Sequence, residues 1–170
     1  MFTIKNVKIS IQIEEISLEY LRNYLSTHCI IFEEKSNFLI IKKSNIFLFY
    51  KLKKGITKHI NATKISSLTN IEHCVSSLKT LLPFLHIINV NVDNISSNYS
   101  HYNTLNIPNI ITQCKDNYIL TYNRERFPGL YIKFTNGTLI LFHTGKIISL
   151  GAKTQSDLNI LFENLLKIIL

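Results

Sequence analysis

Tryptophan is absent from these 170 residues, methionine occurs once, and only five glycines and three prolines interrupt the chain. Five scattered glycines leave little room for a loop that cradles a phosphate, which argues against the common nucleotide-binding signatures. Cys29, Cys74 and Cys114 are odd in number and far apart. They suggest no disulfide framework and favour a reducing compartment. The six histidines show no ligand spacing, and His73 beside Cys74 on an expected helix cannot chelate one ion comfortably, so no metal is expected. Glu14 with Glu15, and Glu33 with Glu34, are consecutive, so on strands their carboxylates point apart and form no acid–base pair. Neither catalysis nor a cofactor is expected. Long apolar runs are also missing, since none approaches the roughly 20 residues of a membrane span. The opening MFTIKNVKISIQIEE lacks the basic, apolar and cleavage regions of a secretory leader.

Acidic residues are scarce as well: 11 against 19 lysines and arginines, a formal charge of +8. That balance makes a polyanion the default partner, nucleic acid before membrane. Enrichment in Lys, Asn and Ile also follows from an A·T-rich genome, so charge alone does not decide. Hydrophobic residues make up 46% and charged ones 18%, which argues for a folded chain with a sizeable core.

Residues 127 to 153, FPGLYIKFTNGTLILFHTGKIISLGAK, carry the sharpest pattern. Apolar side chains alternate on either side of a Thr135-Asn136-Gly137 turn, and alternation means strands. Asn-Gly between two such runs signals a hairpin, because both residues tolerate positive φ. A second turn at Thr144-Gly145-Lys146 adds another strand. One face of this ribbon carries Ile140, Phe142, Ile148 and Leu150, with Lys133 and Lys146 near it. An apolar, aromatic face edged with lysine suits something flat and anionic.

The halves echo each other, which suggests two repeats, 1–85 and 86–170. Gly55, Ala62, Leu68, Ile71, Val75 and Leu78 recur 90 positions later as Gly145, Ala152, Leu158, Leu161, Leu165 and Ile168. The last four positions in each set form one helical stripe. Lys5-Asn6-Val7 matches Ile88-Asn89-Val90 at a spacing of 83, so about seven extra residues are expected within Ser96 to Asn109. Each half reads as strand, short helix, four strands, long helix. Strands are expected near 2–13, 28–34, 37–43, 45–52 and 56–62, then 86–94, 117–123, 128–134, 138–143 and 146–151. Helices are expected near 17–25 and 66–82, in a poorly defined stretch ending near Cys114, and near 156–169 with Ser156 as N-cap.

The ordered set Phe127-Pro128-Gly129-Leu130, Leu139-Ile140-Leu141-Phe142, Thr144-Gly145-Lys146 and Gly151-Ala152-Lys153, followed by a long amphipathic helix, resembles the C-terminal repeat of the TATA-box-binding protein family. The likeness is good over residues 118 to 170 and holds in outline elsewhere. It implies an α+β fold of two pseudo-symmetric repeats forming one curved ten-stranded antiparallel sheet, a saddle with helices on its convex face. It also implies a transcription initiation factor that binds A·T-rich double-stranded DNA in the minor groove and bends it. On that basis Phe127 and Phe142 are the wedges of the second repeat, where the alternative is that both are ordinary core aromatics. Ile140, Ile148 and Leu150 would line the groove-facing surface. Asn6 and Asn89 match the asparagines that donate to base acceptors, against the alternative of solvated strand residues. Lys133, Lys146 and Lys153 stand where basic residues meet phosphates. Arg124, Glu125 and Arg126 fall in the stirrup that meets transcription factor IIB, and the remaining partner is the RNA polymerase machinery. The implied state is a monomer on DNA, in a nucleus, or in a cytoplasmic virus factory if the source is a large DNA virus.

Departures from the family pattern are part of the reading. Leu150 replaces a threonine, Lys8 and Asn91 fall where valines line the saddle, and Asn123 and Arg126 replace acidic or apolar stirrup residues. The first half keeps neither Phe-Pro-Gly nor Gly-Ala-Lys and offers Asn61-Ala62-Thr63-Lys64 instead. Its wedge candidates are Phe38 with Tyr50 or Leu52. Weaker bending by this half, or an adaptor role that binds protein partners, is the competing expectation.

Overall fold

A computed structural model describes all residues from 1 to 170. In chain order the elements are β1 (Thr3–Ser17), α1 (Leu18–Thr27), β2 (Phe32–Glu34), β3 (Phe38–Lys42), β4 (Ile46–Tyr50), β5 (Ile56–Ile65), α2 (Ile71–Leu81), β6 (Ile87–Ser100), α3 (Ile107–Cys114), β7 (Ile119–Asn123), β8 (Phe127–Phe134), β9 (Gly137–Leu141), β10 (Lys146–Ala152) and α4 (Gln155–Ile169). The strands form one ten-stranded sheet in the order β2-β3-β4-β5-β1-β6-β10-β9-β8-β7. The chain divides into an N-terminal unit, Asn6–Asp93, and a C-terminal unit, Asn94–Leu170 with Met1–Lys5.

Alternation selects the buried face in each unit. In β1, Val7, Ile9, Ile11 and Ile13 are buried, and in β5 Ile60, Ala62 and Ile65 are. Leu21 and Leu25 of α1 and Cys74 and Leu78 of α2 complete this core. In the C-terminal unit Leu130 and Ile132, Leu139 and Leu141, Ile147 and Ser149 face α4, whose buried stripe is Leu158, Leu161, Leu165 and Ile168. Burial of each such leucine contributes roughly 2 kcal/mol. Phe2 joins this unit by packing edge-on against Phe162 of α4 and Tyr99 of β6. Ser97 and Ser149, buried opposite each other, satisfy one another through Oγ atoms 2.6 Å apart.

The structure corrects four expectations. The β8–β9 turn residues are Thr135 and Asn136, while Gly137 is the first residue of β9. A Cβ on Gly137 would stand 2.6 Å from the Leu150 carbonyl oxygen, so close backbone approach, together with φ of 145°, requires glycine there. Thr154, rather than Ser156, caps α4. Its hydroxyl accepts from the Asp157 N–H, and the Asp157 carboxylate accepts from the Thr154 N–H at 2.9 Å, closing a reciprocal box. In the first half α2 starts only at Ile71, with Leu68 in a preceding 3₁₀ turn, and the buried stripe runs through Cys74 and Leu78. Lastly, Ser96 to Ser100 belong to β6 and are not inserted loop, because Ser97 and Tyr99 continue the inward alternation.

Candidate nucleic-acid interface

Opposite α4, the sheet of the C-terminal unit has a face that no helix covers. Register places Thr121, Tyr131, Ile140, Ile148 and Asn98 side by side across β7, β8, β9, β10 and β6. The next rank holds Ile119, Lys133, Thr138 and Leu150. Phe142 and Lys146 flank the β9–β10 turn on the same side, closed by a Phe142 N–H to Lys146 carbonyl bond of 3.0 Å. Ile140, Phe142, Ile148 and Leu150 therefore share one surface, with Lys133 and Lys146 exposed on it.

Phe127 lies on this surface too. Its ring meets Phe142 edge-on, with centroids 5.6 Å apart and planes at 66°, and Tyr131 at 5.3 Å. Gly129 makes that position available, since a Cβ there would stand 2.5 Å from the Phe127 ring and 2.7 Å from Ile140. Phe127 is 37% exposed and Phe142 half-buried, and the helix-facing core is built from Leu130, Leu141 and Ile147 instead. A pair of hydrocarbon rings held at the surface with no polar tether is a standing apolar projection.

The N-terminal unit repeats this arrangement with different chemistry. Phe38 and Tyr50 face each other across β3 and β4, with centroids 4.9 Å apart at 74°. Tyr50 rather than Leu52 is thus the partner of Phe38. The Tyr50 hydroxyl accepts from the Asn61 amide at 2.6 Å. Lys42 pairs with Glu33 at 2.6 Å, while Glu34 binds both Arg22 and Lys51 at 2.5 Å. Those cations pull the Glu34 carboxyl down to about 2 and hold Glu33 below its usual range, Lys42 acting first by hydrogen bond and then by charge.

The asparagines separate. Between Val7 and Ile9 of β1, β5 carries one extra residue, and Lys64 takes φ of 62° at the bulge. The Lys64 N–H donates to Asn6 Oδ1 at 2.8 Å. The matching bulge in β10 is Gly151, φ 88°, whose N–H donates to Asn94 Oδ1 at 2.6 Å. Asn94, not Asn89, is therefore the counterpart of Asn6 (94 − 6 = 88), and Lys64 is the counterpart of Gly151 (151 − 64 = 87). Asn89 is exposed, its Oδ1 accepting from the Val90 N–H at 2.9 Å. The missed signal was Asp93-Asn94-Ile95 beside Lys5-Asn6-Val7, at a spacing close to 90 that needs no insertion. Asn91 is exposed, and Lys8 is matched by Ser96 rather than by Asn91. Lys153 is exposed just before α4, its N–H bound to Asp157 at 3.1 Å. Arg124, Glu125 and Arg126 are exposed in the β7–β8 turn, away from the lysines of the sheet face in sequence and element.

Sheet order, helix placement and paired surface rings define an α+β protein with the fold of the TATA-binding proteins. Methanococcus jannaschii TBP superposes with a TM-score of 0.78 over 99% of this chain and 97% of that one, at 19% identity. Residues 89–170 match the family model for transcription factor TFIID (or TATA-binding protein, TBP). TATA-box-binding protein 2 of Entamoeba histolytica is 33% identical over 85 residues, covering 41% of this chain and 40% of that protein. The TATA-box-binding protein of Methanobrevibacter smithii is 29% identical over 114 residues, 66% of this chain and 60% of that protein. The chain thus spans between 40% and 60% of the length of these curated relatives. Its C-terminal half is thus similar in sequence to the TATA-binding proteins, and the likeness of fold extends over nearly the whole chain.

Proposed function

We propose that this chain is a transcription initiation factor that binds A·T-rich duplex in the minor groove and bends it by inserting Phe127 and Phe142. The observation that carries this reading is the untethered Phe127–Phe142 pair standing on a helix-free, apolar sheet face. Apolar side chains driven between base steps unstack them, and the bent duplex offsets that penalty by touching more protein. The TATA-binding proteins are themselves an example of that device. Ile140, Ile148 and Leu150 would fill the groove floor, and Lys133, Lys146 and Lys153 would neutralise phosphates without reading sequence. Asn6 on β1 and Asn94 on β6 each carry a side-chain amide, and A·T pairs show only acceptors in that groove. Asn89, near the start of β6, is a further donor. The relatives' names speak of TATA-box binding rather than of catalysis. Action on DNA puts the chain wherever transcription occurs, a nucleus or a viral factory. A factor IIB-like protein would meet the turn of Arg124, Glu125 and Arg126, with polymerase beyond it, the chain binding as a monomer.

A second reading, an adaptor with little DNA bending, draws on the tethered Tyr50 and the ion-paired lysines of the N-terminal unit. Gel mobility of A·T-rich and G·C-rich duplexes over a salt series separates the two. A groove-reading bender prefers the A·T probe at moderate salt and gives it anomalous mobility. An adaptor shifts neither, and equal loss of both probes as salt rises marks a general basic binder.

A further inference from the structure

A cavity of about 450 Å³ opens beside the β7–β8 turn of the C-terminal unit. Leu105, Ile107, Pro108, Tyr122 and Pro128 give it apolar walls, and Arg124 and His143 stand among them. No carboxylate lines it, and Glu125, next along the turn, lies outside the lining. The walls are held in place before anything binds. The Leu105 N–H donates to the His143 carbonyl at 2.8 Å, and Asn106 caps α3 by accepting from the Asn109 N–H at 3.2 Å. The Arg126 N–H is shared by the Asn123 carbonyl at 3.1 Å and its side-chain oxygen at 3.3 Å. Both prolines have fixed φ. A preformed cleft of this kind loses little freedom on binding.

We infer that this cavity docks an acidic peptide segment carrying one large apolar anchor, offered by a protein partner. A guanidinium holds a carboxylate through two parallel hydrogen bonds, and apolar walls take the anchor. The partner surface is thus acidic, the complement of a turn that reads Asn123-Arg124-Glu125-Arg126. This deepens the proposed function, because it names the chemistry of what meets the Arg124 turn.

The whole chain is basic, so the experiment has to separate the pocket from the general field. Fluorescein-labelled Glu-Asp-Phe-Asp-Glu, its Phe-to-Ser version and Lys-Lys-Phe-Lys-Lys are titrated with the full chain by anisotropy at ~0.15 M salt. The acidic peptide with phenylalanine binds tightest. Arg124→Glu weakens it by about tenfold or more and Tyr122→Ala by about threefold, whereas Lys79→Glu on α2 changes it less than about twofold. Equal losses in Arg124→Glu and Lys79→Glu overturn the inference, as does indifference to the phenylalanine. Circular dichroism checks that the variants remain folded, and the exposed Arg124→Gln serves as a milder second variant. Duplex binding by the unaltered protein is read in parallel. Peptide failure with A·T duplex still bound sinks this inference alone, and duplex failure counts against the proposed function.

Discussion

Across the middle of the helix-free face, the C-terminal unit reads Tyr131, Ile140, Ile148, Asn98, and the N-terminal unit reads Ile40, Leu48, Asn61, Ser10 at the same register positions. The neighbouring rank reads Lys133, Thr138, Leu150 in one and Lys42, Ile46, Thr63 in the other. The scaffolds therefore agree strand by strand, while their surfaces carry different side chains at every one of these positions except that of Lys133 and Lys42, and three contrasts matter most. Ile148 is replaced by Asn61, which ties down the second aromatic ring. Leu150 is replaced by Thr63. Lys133 is in no ion pair, whereas Lys42 is neutralised by Glu33, and all three ion pairs lie in the N-terminal unit. A fold can be duplicated faithfully by its core residues while its two working faces diverge, because alternation assigns core and face to different positions.

Removing the surface rings has the largest expected effect. Phe127→Ala with Phe142→Ala abolishes bending read by fluorescence transfer and weakens A·T duplex binding by about tenfold or more. Phe38→Ala with Tyr50→Ala changes both by less than about threefold. Equal losses would erase the distinction between the units, and unfolding of the first pair would make those rings structural. Gly129→Ala keeps Phe127 but displaces its ring, so it should weaken bending without removing any apolar atoms.

A sharpening experiment makes the N-terminal unit resemble its partner. Asn61→Ile with Tyr50→Phe removes both members of a hydrogen bond together, which leaves stability within ~1 kcal/mol of the original. The bend angle should increase, and an unchanged angle would show that tethering is not what separates the units. The bulges give a smaller contrast. Gly151→Ala forces a side chain into φ of 88° and destabilises by ~1 kcal/mol, while Lys64→Gly relieves φ of 62° and stabilises by up to ~1 kcal/mol. Paired thermal melts read both signs.

The smallest effect concerns pH. The folded Glu34 carboxyl lies at about 2, below its ordinary value of 4.5, held down by hydrogen bonds from Arg22 and then Lys51. Its stabilisation is complete above the unfolded value and is lost as pH falls from about 4.5 toward 2. The group is one third exposed, so this contribution to stability stays below ~1 kcal/mol. Glu34→Gln should flatten melting temperature against pH in that window, and an unaltered slope would remove the ion cluster from the N-terminal unit's stability.

Much of the fold was legible because periodicity reports burial directly. The stripe Leu158, Leu161, Leu165, Ile168 and the shared face of Ile140, Phe142, Ile148 and Leu150 both follow from counting residues. Less was legible wherever one extra residue enters a strand. The bulges at Lys64 and Gly151 shift the register, and that shift hid Asn94 behind Asn89 and turned part of β6 into an expected insertion. The tether between Asn61 and Tyr50 was invisible for another reason, since the two residues belong to different strands and meet only across a ladder.

By itself the sequence determined which side chains must leave water, and with them the strands, the helices and the two-fold echo, because local alternation obeys the backbone's own periods. Tertiary structure alone decided which residues became equivalent, which lysines were neutralised, and that Phe127 could lie over Gly129 against Phe142. Those outcomes depend on distances between strands far apart in the chain, and no local period encodes them.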